Sequence, residues 1–475
     1  MDFRVVILEI AVAILGIVLL ATGLLLPGSK KRANGLITAA VLTGLLVYSF
    51  TDSGAADGEF LMGLYSADSM TLYFKQLFMI AAIFVTVMSL TSTARFKENG
   101  GEYFSLLVFA LLGMMVMVSA NDFLTLYVGL ELMTISFVIL TAFDRSSLKS
   151  AEAGTKYVLL SAMSSAVLLY GLSLFYGLSG STEFEGFAAC AQSGSAGPMF
   201  TVAVILLLSG LGFKISAVPF HMWAPDIYEG APTPITAFLA TGSKAASFAV
   251  LIRMLTLMLE DNYAVFAGIL IVLAVLTMIV GNLIAIPQKN IKRMLAYSSI
   301  AHAGYILLGL VAFTDAGVSA MLFYIFIYIF ANLGAFSSVI ALSDSTGSDE
   351  IEAFRGMWKR SPLITAVLMI SLLSMAGIPP AAGFIGKFYL FASIVNQGYV
   401  WLALLAIGMS VVSVYYYIMV IRVMLAPVPE NAEKISVAPS HKLVMTTAAA
   451  VTLFLGIWAA PLTDWTNQVI AAFVR

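Results

Sequence analysis

Residues 211–247 read LGFKISAVPFHMWAPDIYEGAPTPITAFLATGSKAAS, and this stretch decides the fold. It starts inside an apolar run that begins near Met199, and Lys214 lies within that run. Pro219 interrupts the run, and three more prolines precede a second apolar run that carries Lys244 near its middle. A helix broken at membrane depth is tolerated only where the freed backbone is buried in protein or lines a wet cavity. A lysine at that depth is costly and usually functional.

The composition is that of an integral membrane protein. Of the 475 residues, 61% are hydrophobic and only 11% are charged, whereas a soluble domain carries about 25% charged residues. The net charge of -2 argues against nucleic acid as a partner. The single cysteine, Cys190, excludes a disulfide framework and an iron–sulfur cluster held by this chain. The histidines at 221, 302 and 441 are too scattered to suggest a metal site, and no nucleotide-binding motif is evident, so we expect no cofactor in this chain.

Apolar runs of roughly 20 residues are long enough to cross a membrane, and the sequence predicts fourteen of them. Two of the runs are interrupted by prolines, and the first run is interpreted as a span and not as a signal peptide. The predicted limits are 3–26, 33–50, 70–93, 103–120, 122–142, 150–178, 198–223 (broken), 234–258, 263–286, 292–313, 316–343, 361–396 (broken), 399–425 and 441–460.

The loop charges predict the orientation of the chain. The connections after odd-numbered spans hold the loop lysines and arginines, from Lys30 to Lys442, whereas the connections after even-numbered spans hold acids instead. By the positive-inside rule the odd-numbered connections face the cytoplasm or its equivalent. Both termini are therefore predicted on the outer face of an energy-transducing membrane.

Several charged residues lie inside the predicted spans. Three lie close to a span end, where a long basic side chain snorkels to the interface: Lys75, Arg253 and Arg422. Four lie deeper: Lys156, Lys214, Lys244 and Lys387. One acid matches them, because Glu131 lies about 14 Å from the outer end of the fifth span. A lysine would hold a buried carboxylate ionised, so the simplest pairing joins Glu131 to one of the deep lysines.

The first break resembles a second stretch, LLSMAGIPPAAGFIGKFYLF at 372–391, where two prolines precede Lys387. The two breaks lie five spans apart, so the two segments run in opposite directions. Broken helices in inverted repeats mark ion or substrate sites in transporters, although two unrelated proline kinks would give the same pattern. We predict an all-α membrane domain, residues 1–475, with inverted five-helix repeats of spans 4–8 and 9–13. Its expected parts are an N-terminal three-helix segment (1–100), a first repeat (101–258), a second repeat (259–425) and a C-terminal helix (426–475).

The buried charges favour protons as cargo. Burial lowers the pKa of a lysine, so such a group loads and releases a proton near neutral pH as a neighbouring charge approaches or recedes. His302, in AYSSIAHAGYI, and His221, just past the first break, are candidates for ordering water, but a hydrogen-bonded core histidine is as consistent with either position. Asp226 and Glu229 are interpreted as proton-uptake groups or as loop caps. Sodium is the alternative cargo, but dedicated sodium sites favour carboxylates and carbonyls over lysines.

Three strings together resemble a known family. They are FKISAVPFHMWAPDIYEGAPTPITAFLATGSKAAS, IKRMLAYSSIAHAGYILLG and SMAGIPPAAGFIGKFYLF. They are similar to the antiporter-like subunits of respiratory complex I, of multisubunit cation/proton antiporters and of membrane hydrogenases. Within that family the chain most resembles the N-type subunits. The sequence ends soon after the fourteenth predicted span, so we expect no long lateral helix of the L type. The chain also has Lys387 where M-type subunits have glutamate, and its third span, SADSMTLYFKQLFMIAAIFVTVMS, resembles that of N-type subunits.

The resemblance implies roles for individual residues. Glu131 and Lys214 match the carboxylate and lysine that pair in this family. Lys244 matches the central lysine, Lys387 the distal lysine and Lys156 a sixth-span lysine. His302 falls in a motif that helps to hydrate the channel.

The resemblance also implies a setting for the chain. It implies a proton-translocating, non-redox subunit of an NADH–quinone oxidoreductase that carries no flavin, cluster or quinone site of its own. It implies partners that include an M-like antiporter subunit, small K-, J- and A-like membrane subunits and, indirectly, the hydrophilic redox arm. A subunit of a gradient-driven antiporter, of a membrane hydrogenase or of an F420H2 dehydrogenase is the alternative. A structural spacer is the third interpretation.

Overall fold

The computed structural model describes residues 3–25, 32–51, 58–61, 63–92, 99–192, 197–258, 263–428 and 433–473. Loop lysines and arginines that helped to predict the orientation, among them Lys30, Lys31, Arg95 and Lys97, lie outside these residues, and the side chain of Cys190 is not described. The structure is almost entirely helical. Its α-helices are α1 Ile7–Leu25, α2 Arg32–Tyr48, α3 Ser69–Ser92, α4 Gly100–Ser119, α5 Phe123–Thr141, α6 Leu148–Ser179, α7 Phe184–Gln192, α8 Pro198–Ile215, α9 Trp223–Gly230, α10 Thr233–Phe238, α11 Lys244–Met258, α12 Tyr263–Ala285, α13 Ile291–Ala312, α14 Asp315–Thr346, α15 Met357–Arg360, α16 Pro362–Ala376, α17 Ala382–Asn396, α18 Val400–Leu425, α19 Pro439–Ile457 and α20 Ala460–Phe473.

The helices confirm the predicted class. Within the described residues, twelve helices are long and apolar enough to cross a membrane, and three shorter apolar helices accompany them. Both predicted breaks are confirmed, since α8 and α9 are separate helices and so are α16 and α17. A total of fourteen spans requires that Ala33–Tyr48 and the α16–α17 pair also cross the membrane, and that total stays a prediction.

Some elements have no counterpart among the predicted spans. They include the short helices α7, α9 and α15, the C-terminal helix α20 and a β-hairpin of β1 (Gly58–Phe60) and β2 (Tyr65–Ala67). A five-residue π-helical segment, Leu239–Ser243, also joins α10 to α11. Each of these is shorter than the run of about 20 apolar residues on which the prediction depended.

Side-chain caps and left-handed residues set several helix ends. Asp122 accepts hydrogen bonds from two backbone N–H groups at the start of α5, and Asn290 does the same for α13. Gly180 ends α6 and Gly347 ends α14 in the left-handed conformation that glycine adopts without strain. The polar residues between the apolar runs therefore fix where the long helices begin and end.

Glycines allow two helix pairs to pack closely. A Cβ atom on Gly113 of α4 would lie 2.4 Å from the backbone nitrogen of Met133 in α5. A Cβ atom on Gly281 of α12 would likewise lie 2.5 Å from the backbone nitrogen of Ala301 in α13. Small residues permit such close approach in membranes, where helix packing depends on direct contact. The α4–α5 and α12–α13 pairs stand at corresponding places in the two predicted repeats, which supports the repeats without testing their inverted arrangement.

The centre of the molecule consists of helices that are buried on every side. The span that comprises α10, the π segment and α11 is wholly buried, and α13 and α14 are almost wholly buried. In contrast, α6 and α18 expose apolar side chains along much of their length. Because this exposed surface is apolar, it suits lipid or neighbouring membrane helices. Lys214, Lys244 and Lys387 are buried in the protein interior.

Candidate functional site: a row of buried lysines

The first break leaves backbone groups that side chains satisfy. Helix α8 ends at Ile215, and the carbonyl of Phe213 accepts a 2.8 Å hydrogen bond from the indole nitrogen of Trp223. The backbone nitrogen of Val218 donates to Oγ1 of Thr277 at 2.9 Å. These contacts meet the requirement that non-helical backbone at membrane depth be paired with protein groups. The surrounding side chains therefore stabilise the break in this helix.

Lys214 lies in the last turn of α8, next to this break. Its side chain is buried, and its Nζ donates a 2.7 Å hydrogen bond to Oγ1 of Thr134 in α5. Glu131 precedes Thr134 by three residues and so lies one turn away on the same face of α5. The carboxylate of Glu131 accepts a 2.5 Å hydrogen bond from Ser165 of α6.

The predicted pairing of Glu131 with a deep lysine is therefore not a direct contact in this structure. Among the ion pairs that the described residues form, none joins Glu131 to a lysine. The hydroxyl groups of Thr134 and Ser165 hold the two charges instead.

Lys244 follows the π-helical segment and lies near the middle of the buried span Thr233–Thr256. Its Nζ donates to the carbonyl oxygen of Ser299 at 2.9 Å and contacts Oγ of the same serine at 2.5 Å. The hydroxyl of Tyr328 donates to that Oγ at 2.8 Å. π-Helical turns often occur at functional sites, since the extra residue re-aims the side chains that follow it. Every contact of the ammonium group named here is with a neutral oxygen.

His302 is the centre of a cluster of tyrosines between Lys244 and Lys387. Its Nδ1 lies 2.7 Å from the hydroxyl of Tyr324, and its Nε2 lies 3.1 Å from the hydroxyl of Tyr417. The ring of Tyr328, which bonds the serine beside Lys244, is centred 5.1 Å from the imidazole. A small cavity of about 10 Å³ adjoins His302, close to the smallest volume that holds one water. The structure thus brings the predicted histidine between the two lysines.

Lys387 binds the C-terminal end of α16, where the second break begins. Its Nζ donates to the carbonyl oxygen of Ala376, the last residue of α16, at 3.1 Å and to Oγ of Ser410 at 2.8 Å. A cation is favoured there, since a helix C-terminus carries partial negative charge. The ammonium group also lies 4.7 Å from the ring centre of Tyr305, whose hydroxyl bonds Asn282. Gly377, with φ of 82°, leaves room for this side chain, because a Cβ atom there would lie 2.9 Å from Cδ of Lys387.

Lys156 does not join this buried row, which corrects its predicted depth. Its side chain is 42% exposed, and its Nζ forms ion pairs of 2.7 Å with both Glu152 and Asp226. Helix α6 has 32 residues and is about 48 Å long, much longer than a hydrocarbon core of about 30 Å. A lysine eight residues after the start of such a helix need not be deep.

Asp226 and Glu229 anchor the short helix α9 to its neighbours. Arg293 of α13 bonds Asp226 at 2.7 Å and Glu229 at 3.1 Å, and Lys149 of α6 bonds Glu229 at 2.8 Å. Burial alone would raise the pKa of each carboxyl group, but hydrogen bonds from Lys156 and Arg293 hold the pKa of Asp226 below its ordinary value. Hydrogen bonds from Lys149 and Arg293 do the same for the pKa of Glu229. Both acids are thus ionised ion-pair partners at neutral pH.

His221 lies in the first break and is half-buried. Its Nδ1 is buried without a protein partner among the described residues. The backbone oxygen of His221 accepts a hydrogen bond from Ala224 at 3.0 Å, at the start of α9. The structure therefore places this predicted site residue at the break, apart from the bonded cluster around His302.

Two ion pairs could not be predicted from the sequence, and one of them is buried on both sides. Glu9 of α1 forms a 2.9 Å ion pair with Lys75 of α3, and both side chains are less than 10% exposed. Asp68 forms a 2.7 Å ion pair with Arg253. Glu9 went unnoticed because it lies three residues into α1, near the start of the chain, and no spacing links it to Lys75. For these cations the snorkelling expected from their positions is wrong.

No metal centre is evident in the part of the chain that the structure describes, where no group of three or more His, Cys, Asp or Glu side chains is arranged to hold an ion. The site consists of lysines, hydroxyl groups and one imidazole. Fold and site together define a multi-pass α-helical membrane protein with broken helices and a row of buried titratable side chains.

Comparison with known proteins shows the family of this chain. Residues 120–413 match a family model described as "NADH:quinone oxidoreductase/Mrp antiporter, TM". NADH-quinone oxidoreductase subunit N of Moorella thermoacetica is 48% identical, with 98% of each chain covered. The subunit N of Desulforamulus reducens is also 48% identical, with 100% of this chain and 99% of the relative covered. The chain belongs to the NADH-quinone oxidoreductase subunit N family.

Solved structures agree with this assignment. A chain of respiratory complex I from Thermus thermophilus, solved with bound aureothin, is 32% identical, with a TM-score of 0.81 and coverage of 96% of this chain and 99% of that chain. A chain of the Mrp complex from Dietzia has a TM-score of 0.87 at 20% identity, with coverage of 99% and 97% respectively. The second likeness shows the fold alone.

Proposed function

We propose that this chain is a proton-translocating membrane-arm subunit of an NADH–quinone oxidoreductase. Quinone reduction elsewhere in the complex would drive proton transfer along the buried lysines. The relatives named NADH-quinone oxidoreductase subunit N and the complex I chain from Thermus support the assignment to such a complex. The partners of this chain would be other complex I membrane subunits, including an M-like antiporter subunit and small K-, J- and A-like subunits. The redox groups would belong to the hydrophilic arm.

The row of hydrogen bonds and ring contacts between Lys244 and Lys387 supports the proposal. From Lys244 it runs through Ser299 and Tyr328 to the ring of His302. The imidazole of His302 also bonds the hydroxyl of Tyr417, and its ring centre lies 5.9 Å from that of Tyr305, over which the ammonium group of Lys387 lies. Hydroxyl and imidazole groups both accept and donate protons, so they suit a relay with intervening water.

Burial makes the charge on each lysine responsive to its neighbours. An ammonium group bonded only to neutral oxygens gains less stabilisation than one paired with a carboxylate. If Glu131 and Lys214 separate or approach, the balance of charge at Lys214 changes, and Lys244 and Lys387 feel that change across a medium of low dielectric constant. Lys244 would then pass its proton towards Lys387, from which it leaves on the outer side.

The need for gating follows from the energy at stake. A membrane potential of 100 mV opposes the outward movement of each proton by about 2.3 kcal/mol. A proton path that stayed open across the whole membrane would let protons flow back and dissipate this energy. The hydrogen bonds of His302 and the very small cavity beside it leave little room for a permanent water column, which suits a gated path.

The orientation is also a proposal. The connections that hold Lys149, Lys289 and Lys359 would face the inner phase, and both termini would face outward. The four-part division at residues 100, 258 and 425 follows from the same topology.

The experiment is to purify the tagged chain in mild detergent and to measure NADH-driven quinone reduction and proton pumping in reconstituted vesicles. We expect NADH-oxidising, cluster-bearing partners to co-purify, and we expect Lys387→Met to lower both activities together. Sodium- or potassium-driven proton exchange without such partners would instead identify a gradient-driven antiporter subunit. Loss of assembly alone, with native activity in what remains, would identify a structural spacer.

A further inference from the structure

A polar cavity of about 200 Å³ lies on the predicted inner face and is not part of the row of buried lysines. The end of the α5–α6 connection, the α9–α10 junction, the start of α13 and the end of α14 enclose it. Its charged lining residues are Asp144, Lys149, Glu229, Lys292, Asp344 and Asp349. Four acids and two lysines give this cavity a negative balance, which attracts cations from the aqueous phase.

Lys292 is the buried group at this cavity. Its side chain is only 5% exposed, and its Nζ lies 3.2 Å from Oδ2 of Asp349 and 3.3 Å from the carbonyl oxygen of Ala231. It is the second residue of α13, where the exposed backbone N–H groups disfavour a cation. An acidic or a capping residue would stabilise the N-terminus of α13 better than a lysine, and Asn290 already supplies the cap. A lysine held at this place against the helix dipole calls for another explanation.

Lys292 also lies in line with Lys244. Ser299 follows Lys292 by seven residues, which is about two turns and about 10 Å along the same face of α13. Ser299 is the residue whose carbonyl and hydroxyl oxygens hold the ammonium group of Lys244. Tyr228, the neighbour of Glu229 in α9, brings its hydroxyl to 3.5 Å from the same Oγ. One helix face therefore connects the cavity to the middle lysine of the row.

We infer that this cavity is the proton-uptake site for Lys244, with Asp349 collecting protons from the inner phase and Lys292 passing them inward. The inference rests on the proposed function. Asp349 accepts a proton from water and gives it to the neutral amine of Lys292. Lys292 releases it to water in the gap along α13, and the hydroxyl of Ser299 accepts that proton while its own proton goes to the neutral amine of Lys244. Each transfer moves one proton and leaves no other bond changed.

The charged groups around Asp349 and Lys292 come from every neighbouring element. They are Asp144 of the α5–α6 connection, Lys149 of α6, Glu229 of α9, Arg293 of α13 and Asp344 of α14. Arg293 and Lys149 are engaged by the acids of α9. Asp349 is thus the acid that bonds the buried lysine directly, and its loss affects uptake most when protons are scarce.

The test uses the assembled oxidoreductase in vesicles and compares Asp349→Asn with Glu350→Gln, a matched change at the exposed acid next in sequence. We expect Asp349→Asn to lose about tenfold more of its coupled rate at pH 8 than at pH 6, since a collecting carboxylate supplies acid–base assistance. Asp349→Glu should restore the native pH profile, Lys292→Met should lower the rate at both pH values, and Glu350→Gln should match the native complex.

The outcomes separate the inference from the proposed function. Native coupled rates at both pH values in Asp349→Asn and Lys292→Met, together with defective pumping in Lys244→Met, would overturn the uptake site alone. A loss in Asp349→Asn that is the same at both pH values would also overturn it, because such a loss indicates a structural role. Native pumping in Lys244→Met would overturn the proposed function itself.

A second variant covers a failure of Asp349→Asn to assemble. Thr233 lines the same cavity, so Thr233→Cys can be labelled in the assembled complex with a bulky, membrane-impermeant thiol reagent. We expect labelling from the inner face to slow proton pumping relative to the equally treated native complex. Full labelling with a native pumping rate would overturn the inference.

Discussion

Loss of either partner of the buried pair Glu9–Lys75 should destabilise the protein by several kcal/mol. The two charges lie 2.9 Å apart with little exposure, so their attraction is about 6 kcal/mol at an effective dielectric constant of 20. Most of that attraction offsets the desolvation of two ions, but a single ion left behind keeps its desolvation cost without a partner. We therefore expect Glu9→Leu or Lys75→Met alone to cost about 3–5 kcal/mol.

The double variant distinguishes this reasoning from a general loss of packing. Glu9→Leu combined with Lys75→Met removes both ions, so it should be far more stable than the sum of the single changes predicts. The assay is reversible unfolding of the purified chain by sodium dodecyl sulfate in mixed micelles, followed by a thermodynamic cycle over the four proteins. Single costs below about 1 kcal/mol, or strictly additive costs, would refute the reasoning, since exposed pairs behave in that way.

Three further predictions follow from other parts of the structure. Folding lowers the pKa values of Asp226 and Glu229. Their ion pairs therefore stabilise α9 fully above the ordinary carboxyl pKa of about 4, and they lose that effect as the pH falls through the folded-state pKa values. We expect hydrogen exchange in α9 to become faster below about pH 4, and we expect Asp226→Asn to show fast exchange already at neutral pH. Gly377→Ala should cost about 1–2 kcal/mol from its left-handed backbone alone and should lower the thermal inactivation temperature of the complex, whereas Gly408→Ala, which has open space around its Cβ position, should not. Lys156→Met should lower the proton yield of assembled complexes much less than Lys214→Met, as proton-to-electron ratios would measure, and an equal loss in both would contradict the exclusion of Lys156 from the row.

The breaks and the deep lysines could be predicted because they contradict a local rule. A proline or a lysine in the middle of an apolar run has few structural explanations, so Pro219, Pro379, Lys214, Lys244 and Lys387 stand out in the sequence. The structure confirms that these three lysines are buried and that both runs are interrupted.

The partners of these lysines could not be predicted in the same way. Thr134, Ser299 and Ser410 hold the ammonium groups, but serine and threonine are common in membrane helices and have no distinctive spacing. Glu9 and Lys75 meet only because α1 and α3 pack together, and that contact depends on the tertiary arrangement. The π-helical segment before Lys244 contains Gly242, but a single glycine inside an apolar run is also tolerated in an ordinary helix, so it does not mark a π-helical turn.

Depth was the least predictable quantity. Lys156 lies inside an apolar run, and its position in the sequence predicts burial. Because α6 is longer than a single membrane span, Lys156 instead lies beside α9, where it forms an ion pair with Asp226. Lys292 stands at the edge of the predicted span 292–313, where a side chain is expected to reach water, yet its side chain is buried at the start of α13. Distance along the sequence therefore gives the order of charged groups along a helix, whereas burial depends on how far the helix itself extends.

The most direct test of proton transfer along the buried row is the proton-to-electron ratio of the reconstituted complex with Lys244→Met. The matched control is Lys442→Met, at an exposed lysine near the start of α19. The account predicts that Lys244→Met lowers proton pumping together with coupled NADH oxidation, whereas Lys442→Met leaves both native. A native proton yield in a fully assembled Lys244→Met complex would contradict the account.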